Sequence, residues 1–391
     1  MTTIYLDNNA TTALDPRVLD AMLPFLRHAG NASSAHAAGQ RAAAAVDEAR
    51  QQVAQLVGGS PAEVLFTSGA TEADNLALKG LAHTPQQGRR RIVSCRTEHP
   101  AVLSTLSHLA AAGFEVVLLD VTADGLPVEA QLDAALDERV LMVSIMAVNN
   151  ETGVMPDLAP LAGRVHEFGG WFHTDATQLM TWGGLDADEV GADLVSMSAH
   201  KMHGPAGVGA LWVRREVQPR LAPLLHGGHQ ERGLRSGTLN TPGIVGFGAA
   251  ASLAAAEGPA AAGQVRVLRD RLHYLLDDQL GGVWLNGHLE RRAPGTLNIA
   301  VPGLEESDAV LGAVPEVALS TGSACAAGVP GPSPVLTAMG LGEERASASL
   351  RLSLSRQTTP AEVTQAAAAI AGGVQQVLER QCGPRELVGQ R

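Results

Sequence analysis

Lys201 stands between a short apolar run and a glycine-proline turn in Asp193-Leu-Val-Ser-Met-Ser-Ala-His-Lys201-Met-His-Gly-Pro-Ala-Gly207. Leu194, Val195 and Met197 read as a buried strand, with Ser196, Ser198 and His200 alternating against them and Gly204-Pro205 ending the element. An amine at the end of such a strand is partly desolvated, which favours its neutral, nucleophilic form. An isolated loop lysine is more often a surface group, so the weight rests on its companions. Trp171-Phe-His-Thr-Asp175 is a second strand and finishes on a carboxylate, which is costly to bury unless it meets a cation. That cation is either a metal or a protonated pyridine nitrogen. His200-x-x-His203 and His226-x-x-His229 have zinc-compatible spacing but lack a Cys or carboxylate companion, so no metal site is expected.

A third group favours the pyridine. Val64-Leu-Phe-Thr67 is a strand followed by Ser68-Gly-Ala-Thr-Glu72 and a helical run, which points several backbone N–H groups and the Thr71 hydroxyl at one spot, as an anion site requires. Thr71 with Asp74 also fits a capping box. A phosphate, an aldehyde for Lys201 and a ring nitrogen for Asp175 are together what pyridoxal 5'-phosphate supplies. Thr97-Glu-His99 follows the strand Arg91-Ile-Val-Ser94 and offers an imidazole that can stack on a flat cofactor, shuttle a proton or simply start a helix. Asn149-Asn-Glu-Thr-Gly153 adds side-chain amides at another strand end. Cys325 lies in a run of small residues with Gly322, Gly328 and Gly331 around it, which reads as a mobile, accessible thiol, unlike a buried structural cysteine. Arg351 shares a strand face with Ser349, Ser353 and Ser355, where it can clamp a carboxylate or form a surface ion pair.

The elements that must position these groups alternate. Strand-like runs at 64–67, 91–94, 115–119, 140–148, 171–175 and 194–198 are separated by helical segments, which implies right-handed βαβ units, a mostly parallel sheet and function at the strands' C-terminal ends. A helix is expected to begin at Asp15-Pro16, and another over 37–57 to stop at Gly58-Gly59. A long Ala-rich helix over 249–281 connects this unit to a second, which opens on a strand at 295–301 and closes on a helix over 361–380. With 391 residues, 45% of them hydrophobic, the chain exceeds the roughly 250 to 300 residues at which single cores stop growing. A formal charge of -12, with 28 scattered basic residues, disfavours a nucleic-acid partner. The apolar run over 244–256 is too short to span a membrane and reads as a buried helix. The start of the chain has neither a basic segment nor an apolar signal core, so a cytoplasmic location is expected. Cys95, Cys325 and Cys382 are too few and too far apart for a disulfide framework.

Nearly end to end, the chain resembles the cysteine desulfurases of the NifS/IscS type, within the fold-type I (aspartate aminotransferase-like) pyridoxal-phosphate enzymes. Eight motifs in the family's order carry the resemblance: Tyr5-Leu-Asp-Asn-Asn-Ala-Thr-Thr12, Ser68-Gly-Ala-Thr-Glu-Ala-Asp-Asn75, Thr97-Glu-His99, Asn149-Asn-Glu-Thr-Gly153, His173-Thr-Asp-Ala-Thr-Gln178, Ser198-Ala-His-Lys201, Glu231-Arg-Gly-Leu-Arg-Ser-Gly-Thr238 and Ser320-Thr-Gly-Ser-Ala-Cys325. The chain departs from the pattern at Ala206, where many relatives carry Lys, and at Ala326-Ala-Gly328.

The resemblance implies an α/β fold, with a large domain at 16–255 built on a mostly parallel sheet. Residues 1–15 with 256–391 would form a smaller α+β domain carrying the cysteine loop. It implies Lys201 as the Schiff-base residue, Asp175 on the pyridinium nitrogen, Gln178 on the ring oxygen and His99 over the ring face. It implies Ala70, Thr71, Ser198 and His200 on the phosphate, Thr238 reaching in from the second subunit of a homodimer, and Asn150 and Arg351 on the substrate carboxylate. Cys325 would take the sulfur of L-cysteine as a persulfide, releasing L-alanine. A sulfur-acceptor protein, either an iron–sulfur scaffold or a tRNA-thiolation protein, would then receive it. The alternatives within enzymes, a selenocysteine lyase or another class-V relative, share the cofactor residues, and the discriminator is Cys325 in its Ser-Gly-Ser-Ala-Cys setting, which a transaminase would not need; a catalytically silent binding partner would not need Lys201, Asp175, His99 and Cys325 together.

Overall fold

The computed structural model describes residues 3–84, 88–321 and 331–381. Strand β1 (Ile4–Tyr5) leads through the Asp7–Thr12 turn to helix α1 (Pro16–Arg27), whose N-cap, Asp15, accepts the Arg17 N–H at 2.9 Å. Helix α2 (Ala37–Gln55) precedes strand β2 (Val64–Thr67) and helix α3 (Ala70–Ala82). Then come β3 (Arg91–Cys95), α4 (Pro100–Ala111), β4 (Glu115–Leu119), α5 (Glu129–Ala135), β5 (Val140–Ser144), α6 (Leu158–Glu167) and β6 (Trp171–Asp175). Helix α7 (Ala187–Val190), β7 (Leu194–Ser198) and β8 (Gly209–Val213) complete the first half.

These strands form a seven-stranded sheet among the described residues, ordered β2-β8-β7-β6-β5-β3-β4. Strand β8 pairs antiparallel with both neighbours, and the remaining pairs are parallel. Both faces are covered, as a parallel sheet with crossover helices requires. Alternation within each strand feeds two cores: Phe66, Val93, Val195 and Met197 pack with α1 and α2, while Leu65, Ile92, Leu141 and Leu194 pack with α3 and α4. Strand β5 is shorter than the 140–148 expected. Beyond Ser144 the chain leaves the ladder with β3 but keeps bonds from Ile145 N–H to His173 O (3.1 Å) and from Ala147 N–H to Asp175 O (2.9 Å), so it runs along β6 as a loop.

Helix α8 (Thr241–Leu280) is 40 residues long and begins eight residues before the expected 249, because Asn240 caps it and Pro242 sits in its first turn, where a missing N–H costs nothing. By length and composition it is apolar enough to cross a membrane, yet half of its most apolar window is buried inside the molecule. Its first half contributes Ile244, Phe247 and Ala251 to the sheet core; its second contributes Val265, Leu272 and Leu276 to another core. That other core is built on strands β9 (Trp284–Leu285), β10 (Thr296–Ala300), β11 (Val317–Ala318) and β13 (Ser349–Ser353), beside β12 (Ser320–Thr321), with helices α9 (Asp308–Ala313) and α12 (Pro360–Gln381), while α10 (Pro334–Ala338) and α11 (Glu343–Ser347) form a separate small cluster through Val335, Leu336 and Ala346 with Val121 and Met339. Here β12-β13-β10-β9 is an antiparallel sheet, and β1 returns to pair parallel with β11.

Candidate active site

A cavity of about 360 Å3 opens where the C-terminal ends of β2, β6 and β7 meet the N-terminus of α3. This volume lies in the range of small-molecule sites, roughly 300 to 1,000 Å3. Gly69 bridges β2 and α3 with φ +157° and ψ -179°, a conformation open essentially to glycine alone. Gly209, at the start of β8, lies directly beneath it, where a Cβ would come within 2.7 Å of the Gly69 backbone. This close approach aims the first turn of α3 into the cavity with Ala70 and Thr71 on the lining. No side chain of the N-cap covers those N–H groups, so they are available to an anion. The capping box expected of Thr71 and Asp74 is absent: Gly69 starts the helix earlier, Thr71 falls inside the first turn, and Asp74 is fully buried. Glu72 instead reaches back to the Ser68 N–H at 2.8 Å and is itself held by Arg235 at 2.8 Å.

Lys201 follows β7 in a single 3-10 turn, Ala199–Lys201. Its Nζ donates to the carbonyls of Asn9 and Ala10, the latter at 2.7 Å. The distant Asp7–Thr12 turn fixes this lysine turn from outside. Thr12 donates from its backbone N–H and hydroxyl to the His200 carbonyl (2.9 and 2.8 Å), and its hydroxyl accepts the His203 N–H at 2.7 Å. His200 and Ser198 both line the cavity, with His200 Nδ1 3.1 Å from the Thr11 hydroxyl. Burial, then the charge of Lys201, lowers the His200 pKa to about 4, so its ring is neutral at pH 7.

Asp175 ends β6 as expected, 6% exposed, and accepts the Thr177 N–H at 2.9 Å. His99 caps α4: its Nδ1 accepts the Ala101 N–H at 3.1 Å, which leaves the proton of the neutral ring on Nε2. Burial lowers its pKa against the opposing pull of Asp175. Both readings of His99, as helix start and as cavity residue, therefore hold together. Gln178 and Asn150 line the same space, with the Gln178 amide donating to Asn9 O at 3.0 Å. Ala206 also lies on the lining.

Two expected site residues, Arg351 and Thr238, lie off the lining of this cavity, and a third, Cys325, cannot be placed relative to it. Arg351 is 1% exposed and forms an ion pair with Asp7 at 2.8 Å, with further bonds to Ser320 Oγ (3.1 Å) and Asn150 O (3.3 Å). The surface ion pair considered for it is thus a buried one. Thr238 is exposed and lies off the lining of the chain's own cavity. Cys325 falls outside the described residues, as does Cys382. Cys95 is buried, and burial pushes its thiol well up, as suits an inert core group. Sequence reading missed Asn9, whose carbonyl receives both Lys201 and Gln178 and whose amide donates to Asn150 O and Thr296 Oγ1, both at 3.0 Å. Nothing local marks it, since its partners lie more than 140 residues away.

The donor set fits a phosphate-bearing pyridine aldehyde. An amine and a carboxylate share one wall-to-wall space with a neutral imidazole, and a glycine-started helix turns its free N–H groups toward them. The family model "Aminotransferase class-V" matches residues 4–365. A protein named cysteine desulfurase IscS from Anaeromyxobacter sp. (strain Fw109-5) is 49% identical over 362 residues, covering 92% of this chain and 89% of that protein. Another of that name, from Tolumonas auensis (strain DSM 9187 / NBRC 110442 / TA 4), is 45% identical over 367 residues, with 93% and 90% covered. Among solved structures, a NifS-like protein superposes with a TM-score of 0.88 at 35% identity, over 97% of this chain and all (100%) of that one. A structure described as SspA in complex with cysteine gives 0.79 at 34% identity, over 92% and 100%.

Proposed function

The chain belongs to the class-V aminotransferase family and is a pyridoxal-phosphate-dependent cysteine desulfurase, and from that premise we propose which residues carry the conversion of L-cysteine to L-alanine. The observation that supports the assignment is the convergence of Lys201, Asp175, His99 and the α3 N-terminus on one cavity. Bound there, the cofactor supplies an electron sink for the bonds broken in the substrate.

Lys201 Nζ, held by the Asn9 and Ala10 carbonyls beside the cavity, would hold the cofactor, and as a free amine would carry the substrate's α-proton. Asp175 would be the counter-charge of the ring nitrogen, Gln178 would take the ring oxygen, and His99, with its proton on Nε2, would cover the ring face. Ala70 and Thr71 offer N–H groups to the phosphate, joined by Ser198 and His200. Asn150 and Arg351 take the substrate carboxylate, for which Arg351 must exchange its bond to Asp7.

Cys325 accepts the sulfur. Its thiolate bonds to the substrate sulfur as the substrate's C–S bond breaks, and L-cysteine plus the enzyme thiol become L-alanine plus one persulfide, with no net redox change. The rest of the reading concerns assembly. Thr238, exposed in its own chain, completes the phosphate site of a second subunit in a homodimer. The persulfide passes to an acceptor protein, an iron–sulfur scaffold or a tRNA-thiolation protein, in the cytoplasm. The division into 16–255 and 1–15 with 256–391 belongs to the same proposal, with α8 as the link.

Cys325→Ser tests the assignment. The variant should still bind the cofactor and change its spectrum on addition of L-cysteine, yet release almost no alanine. Brief exposure of the wild type to L-cysteine without reductant should add about 32 Da, one sulfur, to the peptide containing Cys325. Sulfur on Cys95 or Cys382, or turnover retained in the variant, would exclude Cys325 as the acceptor.

A further inference from the structure

On either side of Cys325 in the chain, a serine is tied to the loop at 149–153, and the reaction above leaves one of those ties unused. Before it, Ser320 of β12 donates from Oγ to Asp7 at 2.8 Å and accepts from Arg351 at 3.1 Å, and Arg351 also donates to the Asn150 carbonyl at 3.3 Å. After it, the hydroxyl of Ser333, the N-cap of α10, donates to the Glu151 carboxyl. Thirteen residues separate Ser320 from Ser333, enough for extended chain to part them by about 45 Å, yet their bonds lead to two consecutive residues. Asn150 lines the cavity, whereas Glu151 is off the lining and 4% exposed.

Ser333 has little freedom in how it makes this bond. Its Oγ already accepts the Val335 and Leu336 N–H groups, both at 3.2 Å, so its lone pairs are spent on the α10 cap and its proton must go to an acceptor. Ser333 has no exposed surface, so that acceptor is protein and not bulk solvent. Glu151 supplies it from a backbone that is itself fixed. Its N–H goes to Asn149 Oδ1 at 3.0 Å, and its carbonyl accepts the Asn298 amide of β10 at 3.1 Å. Burial pushes the Glu151 carboxyl up to about 7, against the Ser333 bond and the charge of Arg351, and either protonation state keeps an oxygen that can accept. The body of α10 is held separately, by Val335, Leu336 and Met339 packing with Val121 and Ala346, so the Glu151 bond governs where the helix starts and not whether it forms.

We propose that Glu151 is a positioning residue for sulfur transfer: through Ser333 it fixes the start of α10 against the loop that carries Asn150, and so pins the chain eight residues beyond Cys325 beside the cavity. The inference rests on the reading of Cys325 as sulfur acceptor given above. A thiol that must meet a substrate sulfur at bonding distance depends on where the chain on both sides of it is anchored, since a small misplacement of a reacting atom is costly. The Ser320 anchor belongs to Arg351 and Asp7; the Ser333 anchor belongs to Glu151. Because Glu151 is off the cavity lining, its loss should slow the sulfur step and spare the proton chemistry of Lys201.

Rates measured on the cofactor-loaded enzyme separate these steps. One is single-turnover gain of sulfur on the Cys325 peptide after mixing with L-cysteine, followed by mass spectrometry; the other is exchange of the α-hydrogen of L-alanine in D2O, which needs Lys201 but no thiol. Glu151→Ala should slow the first about tenfold and leave the second within about twofold of wild type. Glu151→Gln, whose amide oxygen can accept from Ser333, should restore the first. Ser333→Ala should match Glu151→Ala, and the double variant should lose no more than either single, as partners in one contact require. Hydrogen exchange of the cofactor-free protein gives a reading apart from activity: the Val335 and Leu336 amides should exchange faster in Glu151→Ala and stay protected in Glu151→Gln. An unchanged sulfur step, equal loss of both rates, or losses that multiply in the double variant would overturn the proposal. If Glu151→Ala does not fold, Ser333→Ala and Glu151→Gln still decide. If the Cys325 reading itself fails, wild type gains no sulfur there, a result separate from that of any variant, and the proposal falls with it.

Discussion

His99 spends the lone pair of Nδ1 on the Ala101 N–H, so the residue that begins α4 also enters the cavity in a single neutral form. Protonating the ring would break that cap and place a cation next to Lys201, which is why burial together with Lys201 holds its pKa below the usual imidazole value against the pull of Asp175. The sign follows directly. A group whose pKa is depressed stays neutral to lower pH, so acid inactivation through His99 should begin below about 6.5. A turnover profile whose acid limb centres above 7 in wild type, or a limb unchanged in His99→Gln, would assign that limb to another group. Arg351 shows the complementary behaviour. Its charge is satisfied by Asp7 within the β13 wall, so under the proposed role a substrate carboxylate would meet a guanidinium already oriented.

At the scale of elements, the lysine turn is held by a segment almost the whole large sheet away in sequence. Thr12 is its clasp, with three hydrogen bonds to the backbone of His200 and His203. Thr12→Val keeps the shape and deletes the hydroxyl, leaving the His203 N–H unpaired at a cost of about 1 to 3 kcal/mol. Chemical denaturation should register that loss, and borohydride trapping of cofactor on Lys201 should slow as the turn loosens; unchanged stability would mean that the clasp is redundant. Residues such as Asp175, His99 and Lys201 could be read from the sequence because each follows an apolar run whose end is marked by polarity, glycine or proline. Asn9 and Thr12 could be read only as a polar turn. Their partners are set by how β1 folds back onto β11, and no local periodicity encodes that pairing. The overextended β5 has a related cause: Ile145 to Val148 are as apolar as a strand because they are buried along β6, not because they join a ladder.

For the whole molecule, the cavity built from one chain has the N-terminus of α3 tied through Glu72 and Arg235 to a rim loop, 226–238, in which His229, Glu231 and Arg232 all adopt positive φ without being glycine. Glu231 anchors that loop through Arg50 at 2.6 Å and the Phe66 N–H at 2.9 Å, while Thr238 projects outward. Such backbone is maintained where surrounding structure over-determines it. The expected assembly is a symmetric dimer with two composite sites; light scattering at assay concentration should report twice the 40.4 kDa chain mass, and a fully active monomer would refute it. Helix α8 adds a mechanical point. It is a single spar skewering two packing centres, and midway along it Gly258 rides against the Trp182 and Gly183 backbone, too near for any side chain, while Pro259 omits a rung from the helical ladder. A spar that lacks a rung where it is pressed on the segment leading from Asp175 ties both packing centres to one knuckle, so a side chain forced in at Gly258 would push on the two of them at once.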